Sequence, residues 1–113
     1  MRTIIAGSRD IVDPRVIPDA VEESEFEITQ VISGGARGVD ALAIAYADLH
    51  KIPLRIFRAN WDKHGKSAGY IRNQEMANYA EALIAIWDSK SVGTKHMIKI
   101  ATDLGLSVHV HMV

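Results

Sequence analysis

Not one of the 113 residues is cysteine, which removes disulfides, zinc–thiolate sites and thiol nucleophiles from consideration. No apolar run approaches the roughly 20 residues of a membrane span. Met1 leads directly into a strand-like segment, without the basic and apolar regions of a secretory leader. A cytoplasmic location with no membrane attachment is therefore expected. An excess of charge of either sign is also missing, because 13 Lys and Arg face 14 Asp and Glu, a formal net charge of −1. Global attraction to nucleic acid is excluded, and any polyanion binding has to come from a local patch. The five histidines form no metal set: His109 and His111 share a strand face but have no third ligand nearby in sequence, so no metal is expected. No serine–histidine–acid triad, amphipathic basic helix, internal repeat, linker or low-complexity segment is readable.

What is present is ordinary for one soluble domain spanning residues 1–113, with 48% hydrophobic and 24% charged residues. Thr3 to Ala6 reads as a short buried strand stopped by Gly7. Asp13 and Pro14 read as an N-cap followed by proline in the first turn of a helix, which Pro18 is expected to kink or restart. A second strand is expected over Ile28 to Ser33. Val39, Leu42, Ala43, Tyr46 and Leu49 then fall on one helical face. Pro53 ends that unit and Leu54 to Phe57 reads as a third strand. Asn60 to Ser67 reads as an irregular polar loop, and Ala68 to about Ala80 as a helix. Ala82 to Trp87 reads as a fourth strand, with Trp87 in the core. Thr94 to Leu104 reads as a helix with Met97, Ile100, Ala101 and Leu104 inward and Gly105 as its C-cap. Ser107 to Val113 closes as a fifth strand.

Apolar strands alternating with helices predict a parallel sheet covered on both faces. Right-handed crossovers make this a Rossmann-like three-layer α/β domain of about five strands, with 3-2-1-4-5 as the expected order. Ligands in such sheets bind beyond the carboxyl ends of the strands, near the switch between strands 1 and 4. Three polar segments fall there: Gly7-Ser8-Arg9-Asp10, Gly34-Gly35-Ala36-Arg37-Gly38, and Asp88 through Ser91, Gly93 and Thr94.

Glycines between strand and helix permit positive φ and close approach of a ligand to backbone N–H groups, where the helix dipole favours phosphate. The double-glycine loop is expected to contact phosphate or ribose, although it lacks the usual dinucleotide spacing of G-x-G-x-x-G after the first strand. Asp40, in the first helical turn, either bonds a ribose hydroxyl or merely stabilises the helix start. Thr94 is either a phosphate contact or only an N-cap. Gly65-Lys66-Ser67 resembles a fragment of a P-loop, but the full pattern is missing and a Walker A site is rejected. Arg72 and Asn73 open the next helix and are expected at the ligand edge. Trp61 is a candidate to stack on a base.

The segment Ser33-Gly34-Gly35-Ala36-Arg37-Gly38-Val39-Asp40-Ala41-Leu42-Ala43 resembles the S-G-x-A-x-G-[IV]-D-x-x-A motif of the SLOG superfamily, which joins the DNA-processing protein DprA (SMF) to the LOG proteins. Ala68 to Asn73 resembles the R-N element of the DprA branch, and Trp87 to Ile98 contains an S-x-G-T element after strand 4. With Gly7-Ser8-Arg9 and Ala59-Asn60-Trp61-Asp62, the pattern is similar to the small stand-alone type related to YspA and cpYpsA, found in bacteria and phages. The resemblance implies a Rossmannoid pocket for nucleotides or nucleotide-derived ligands. LOG enzymes release a base from a nucleoside monophosphate with an arginine and a glutamate. Arg72 matches that arginine and is the candidate catalytic cation, but the glutamate position holds Met97, which cannot handle a proton.

Three readings result. The first is a nucleotide-binding module, a sensor, sequestering or partner protein, with no fixed cofactor beyond that ligand. The second is an N-glycosidic-bond hydrolase of LOG type. The third is single-stranded DNA binding of DprA type, through Arg37, Arg58, Lys63, Lys66 and Arg72 with Trp61. Self-association into a homo-oligomer is also expected from the resemblance.

Overall fold

A computed structural model describes residues 1–113. In chain order the elements are β1 (Arg2–Gly7), α1 (Val16–Ser24), β2 (Gln30–Ser33), α2 (Val39–Leu49), β3 (Leu54–Ile56), α3 (Trp61–His64), α4 (Ala68–Tyr79), β4 (Ala82–Trp87), α5 (Val92–Asp103) and β5 (Ser107–Met112). The five strands form one parallel sheet in the order β3-β2-β1-β4-β5. The α/β Rossmann-like expectation and its strand order both hold.

Alternation along the central strands divides the core between the two faces. Ile4, Ala6, Leu83 and Ala85 point to one side, where Met76 and Ala77 of α4 and Met97 and Ala101 of α5 cover them. Ile5, Ile84 and Ile86 point to the other, against Ile17 and Ala20 of α1 and Val39, Ala43 and Ala47 of α2. Both faces of β1 and β4 are thus buried, which is why they read as unbroken apolar runs rather than alternating ones.

Several local expectations change. The first helix begins at Val16, so Pro18 lies within its first turn, where a missing N–H leaves no bond unmade, and Pro18 neither kinks nor restarts it. Asp13 is not its N-cap: its carboxylate accepts the Arg15 N–H in the preceding turn, at 3.0 Å. The second strand starts at Gln30 rather than Ile28. The polar stretch 60–67 is not irregular. Asn60 caps α3 by accepting the Lys63 N–H at 3.1 Å, and a 3₁₀ turn at Gly65–Ser67 then leads into α4. Trp87 is only half-buried, and its indole N–H braces the next turn by donating to the Ser91 carbonyl at 3.1 Å.

Candidate functional site

A cleft of about 520 Å³ opens at the carboxyl ends of β1 and β4, beside the α2 and α5 N-termini. The fold brings thirteen of the expected site residues to its wall: Gly7, Ser8 and Arg9 after β1; Ala36, Arg37 and Asp40 at the start of α2; Trp61, Arg72 and Asn73 from α3 and α4; and Asp88, Ser91, Gly93 and Thr94 around the start of α5. Gly34 and Gly35 lie instead in an adjoining recess of about 230 Å³. Gly38 lines neither. Its φ of +74° and its contact with the Ser8 and Arg9 backbone show why glycine is needed: any Cβ there would run into the loop after β1. The Val39 N–H donates to the Ser8 carbonyl at 3.1 Å and locks the two loops together.

The two helix starts differ in what they offer a ligand. At α2 the loop satisfies part of its own N–H set and places a carboxylate in the first turn, while the Arg37, Gly38, Asp40 and Ala41 N–H groups have no protein acceptor. Asp40, only 6% exposed, accepts the Ala36 N–H at 3.2 Å, and the Gly35 N–H reaches the Ser33 hydroxyl at 3.2 Å. Asp40 therefore stabilises the loop and helix start, the plainer of its two expected roles. Burial pushes its carboxyl above the usual range, against the Ala36 hydrogen bond and the Arg72 and Arg9 charges.

At α5 the first turn holds no acidic residue. Ser91, not Thr94, is the N-cap: its hydroxyl accepts the Thr94 N–H at 3.3 Å and the Thr94 hydroxyl lies 2.9 Å away. The Val92 and Gly93 N–H groups precede the first intrahelical bond and have no protein acceptor. A Cβ built on Gly93 would meet nothing within 4 Å. This glycine is not demanded by protein packing. Asp88 shapes the turn by accepting the Lys90 and Ser91 N–H groups at 2.8 and 2.9 Å. The Ser91 N–H, then that of Lys90, holds its carboxyl below the usual range.

Arg72 and Asn73 join the two loops. Arg72 donates from Nη1 to the Gly34 carbonyl at 2.6 Å and from Nε to Asn73 Oδ1 at 3.1 Å. The buried Asn73 amide continues the chain to the Gly93 carbonyl at 3.4 Å and to His96 Nδ1 at 3.3 Å. Burial lowers the Arg72 pKa, with the neighbouring Arg9 charge adding to it and Asp40 opposing. Burial likewise holds the His96 imidazole below its usual range, favouring the neutral ring that can accept from Asn73.

Sequence reasoning did not single out two side chains of the walls, Lys90 and Tyr70. Asp10, Lys66 and Lys90 bring charge to the cleft, and Tyr70, 47% exposed, stands with Trp61, 51% exposed, as an aromatic flank. Tyr70 was legible from its place one residue past Gly69 on the helix that carries Arg72; Lys90 needed the folded turn. Met97 is 1% exposed and forms part of the cleft wall, so the position of the LOG glutamate offers a buried thioether. His109 and His111 do acquire a third polar neighbour, Glu23 Oε1, at 3.2 and 2.7 Å, but no group of side chains in the protein has metal-site geometry. No helix is long and apolar enough to cross a membrane.

Comparison with known proteins agrees with this architecture. The fold superposes on the X-ray structure of DNA processing protein A (DprA) from Streptococcus pneumoniae with a TM-score of 0.77, over 96% of this chain but only 49% of that one, at 16% identity. The chain thus spans about half the length of DprA, and the likeness is one of fold. Gene 61 protein of Mycobacterium phage D29 is 34% identical over 117 residues, which is 95% of this chain and 93% of the phage protein. A model of the YspA, cpYpsA-related SLOG family matches residues 1–64, the part that carries β1, the glycine loop and α2. On these matches the chain belongs to the YspA, cpYpsA-related SLOG family.

Proposed function

We propose that the cleft binds a nucleotide or nucleotide-derived ligand, with a phosphoryl group on the open first turn of α5 and the base against Trp61 and Tyr70. The observation that carries this reading is the unfilled space at Gly93, beside two N–H groups without acceptors. A glycine that no protein atom requires, at the positive end of a helix, suits an anion approaching the backbone closely. The volume of about 520 Å³ is within the range of small-ligand sites. The cleft wall carries five cations, Arg9, Arg37, Lys66, Arg72 and Lys90, against three acidic residues, Asp10, Asp40 and Asp88, a local positive excess in a protein whose net charge is −1.

Binding without turnover is the form of this function that the wall supports. Met97 supplies neither an acid nor a nucleophile, Asp88 is committed to the turn before α5, Asp40 to the glycine loop, and Asp10 faces Arg37 at 3.7 Å. A thermal-melting panel with AMP, ADP, NAD and ADP-ribose tests the reading, with adenosine and a ten-residue oligothymidylate as controls. A ligand at 100 times its Kd adds about 2.7 kcal/mol, which raises the melting temperature of a domain this size by several degrees. The expected result is a shift with at least one nucleotide, none with adenosine, and loss of the shift in Arg72→Ala. No shift with any nucleotide overturns the reading. A shift with the oligothymidylate alone replaces it with single-strand binding, and time-dependent release of free base replaces it with hydrolysis.

A further inference from the structure

The recess beside the cleft has a composition unlike the rest of the surface. Its wall is made by Arg9, Arg58 and Arg72, the Gly34–Ala36 backbone, Ala59 and Trp61, and includes no acidic residue. The ion pairs of this protein involve Arg2, Arg15, Arg37, Lys99, His109 and His111, and none of the three recess arginines. Their own hydrogen bonds leave most donors unused. Arg58 donates once, to the Gly35 carbonyl at 3.3 Å; Arg72 donates to Gly34 and Asn73; Arg9 has no side-chain hydrogen bond. A guanidinium carries five N–H donors in a planar fork that matches phosphate and carboxylate oxygens.

Convergence of three unpaired cations on one small concavity is electrostatically unfavourable unless something anionic neutralises them. The buried Asp40 carboxyl behind the glycine loop offsets part of the charge on Arg72 and Arg9, but it is one group against three guanidinium groups and lies within ion-pair distance of none of them. Arg9, Ala36, Trp61 and Arg72 line both the recess and the cleft, so the two spaces are continuous and one molecule can occupy both. Arg58 and Ala59, by contrast, line the recess alone.

Building on the cleft as a nucleotide site, we infer that the recess is a second anion subsite. The ligand is then a nucleotide with two phosphoryl groups, one on the first turn of α5 and the other among Arg9, Arg58 and Arg72. Arg72, present on both walls, sits between the two groups. Arg58 is the residue that separates two-phosphoryl from one-phosphoryl ligands, because it reaches only the recess.

Isothermal titration with AMP, ADP and adenosine 3′,5′-bisphosphate tests this in the unmodified protein, in Arg58→Ala and in Ala59→Asp. ADP places its second group next to the first, and the bisphosphate places it across the ribose. At least one of the two is expected to bind tenfold or more tightly than AMP. That margin disappears in Arg58→Ala and in Ala59→Asp, where a carboxylate enters the recess, while AMP affinity stays within about twofold. Arg58 is exposed, so its variant folds, and an unchanged melting temperature verifies this. Equal affinity for AMP and both two-phosphoryl probes, or a margin that survives both substitutions, overturns the second subsite and leaves the nucleotide cleft standing. Absence of binding by all three probes overturns both.

Discussion

Arg72 Nη1 donates to the Gly34 carbonyl oxygen at 2.6 Å, joining α4 to the glycine loop across 38 residues of chain. The same bond explains why position 34 is glycine. A Cβ there would lie 2.5 Å from Arg72 Nη1 and 2.8 Å from Asp40 Oδ2, so any larger residue pushes the guanidinium out of its seat. The obstructing atoms belong to side chains rather than backbone. Gly34→Ala is therefore expected to lower stability by only about 1 kcal/mol, yet to weaken nucleotide binding at least tenfold. Melting curves together with titration check this. Retained affinity in a folded Gly34→Ala protein would show that Arg72 need not be held at Gly34 for binding.

Gly38 and Gly93 make an opposed pair. At Gly38 a positive φ and the Ser8 and Arg9 backbone oppose any side chain, and backbone has nowhere to move. Gly38→Ala is expected to lose at least about 2 kcal/mol from conformational strain and overlap combined. At Gly93 the φ is ordinary for a helix start and no atom lies within 4 Å of an added methyl. Gly93→Ala should stabilise the protein by about 0.4–1 kcal/mol by restricting the unfolded chain, a rise of roughly 2–6 °C in melting temperature. The methyl then stands where the phosphoryl group is proposed, so ligand affinity falls as stability rises. A Gly93→Ala protein that gains stability and binds nucleotide normally would remove the α5 turn from the site.

How much of this was legible from the residues depends on the length of the signal. The run Ala82 to Ile86 is apolar on both faces and could hardly be anything but a central strand, and the glycine loop between β2 and α2 marked the ligand end of the sheet. Short elements were hidden. α3 is four residues long, too brief for a 3.6-residue period to show, and its formation rests on the Asn60 cap. Pro18 misled because its effect depends on whether the helix begins at Pro14 or at Val16. The recess was legible only in part: Arg58, Arg72 and Trp61 were grouped as a basic rim, but the approach of Arg58 to the glycine loop needed the folded register. Arg58 stands 23 residues from Gly35, and only the β2–β3 pairing of Ser33 with Ile56 brings them together.

Asp40 provides a pH test of the site. Burial raises its folded-state pKa above its ordinary value of 3.8, so the folded protein holds this proton more tightly than the unfolded chain. Stability from this group is fully present below that value. It declines as the pH rises through the raised folded-state value, where a buried carboxylate must ionise. Asp40→Asn keeps an acceptor for the Ala36 N–H and removes the charge. The variant is expected to melt higher than the parent at pH 7, with the gap shrinking toward pH 4. A gap that instead widens on acidification would mean that Arg72 and Arg9 stabilise the carboxylate more than burial opposes it.

Glu23 gives a prediction of opposite sign, away from the cleft. Its Oε1 lies 2.7 Å from His111 Nδ1 and 3.2 Å from His109 Nε2, tying α1 to the edge strand β5. The hydrogen bond with His111, then that with His109, holds the Glu23 carboxyl below its ordinary value of 4.5. A depressed carboxyl pKa means the unfolded chain binds the proton more readily, so the stabilisation is present above that value and is lost as the pH falls through the folded-state value. Glu23→Gln is therefore expected to melt below the parent at pH 7, by a small margin because the carboxylate is solvated. The two proteins should converge once the pH falls below the lowered carboxyl value. Because β5 is an edge strand, amide exchange at His111 and Val113, whose N–H groups face β4, should quicken in Glu23→Gln more than exchange in the central β1. Equal protection of β5 in the two proteins, with the melting difference intact, would place the effect in α1 alone.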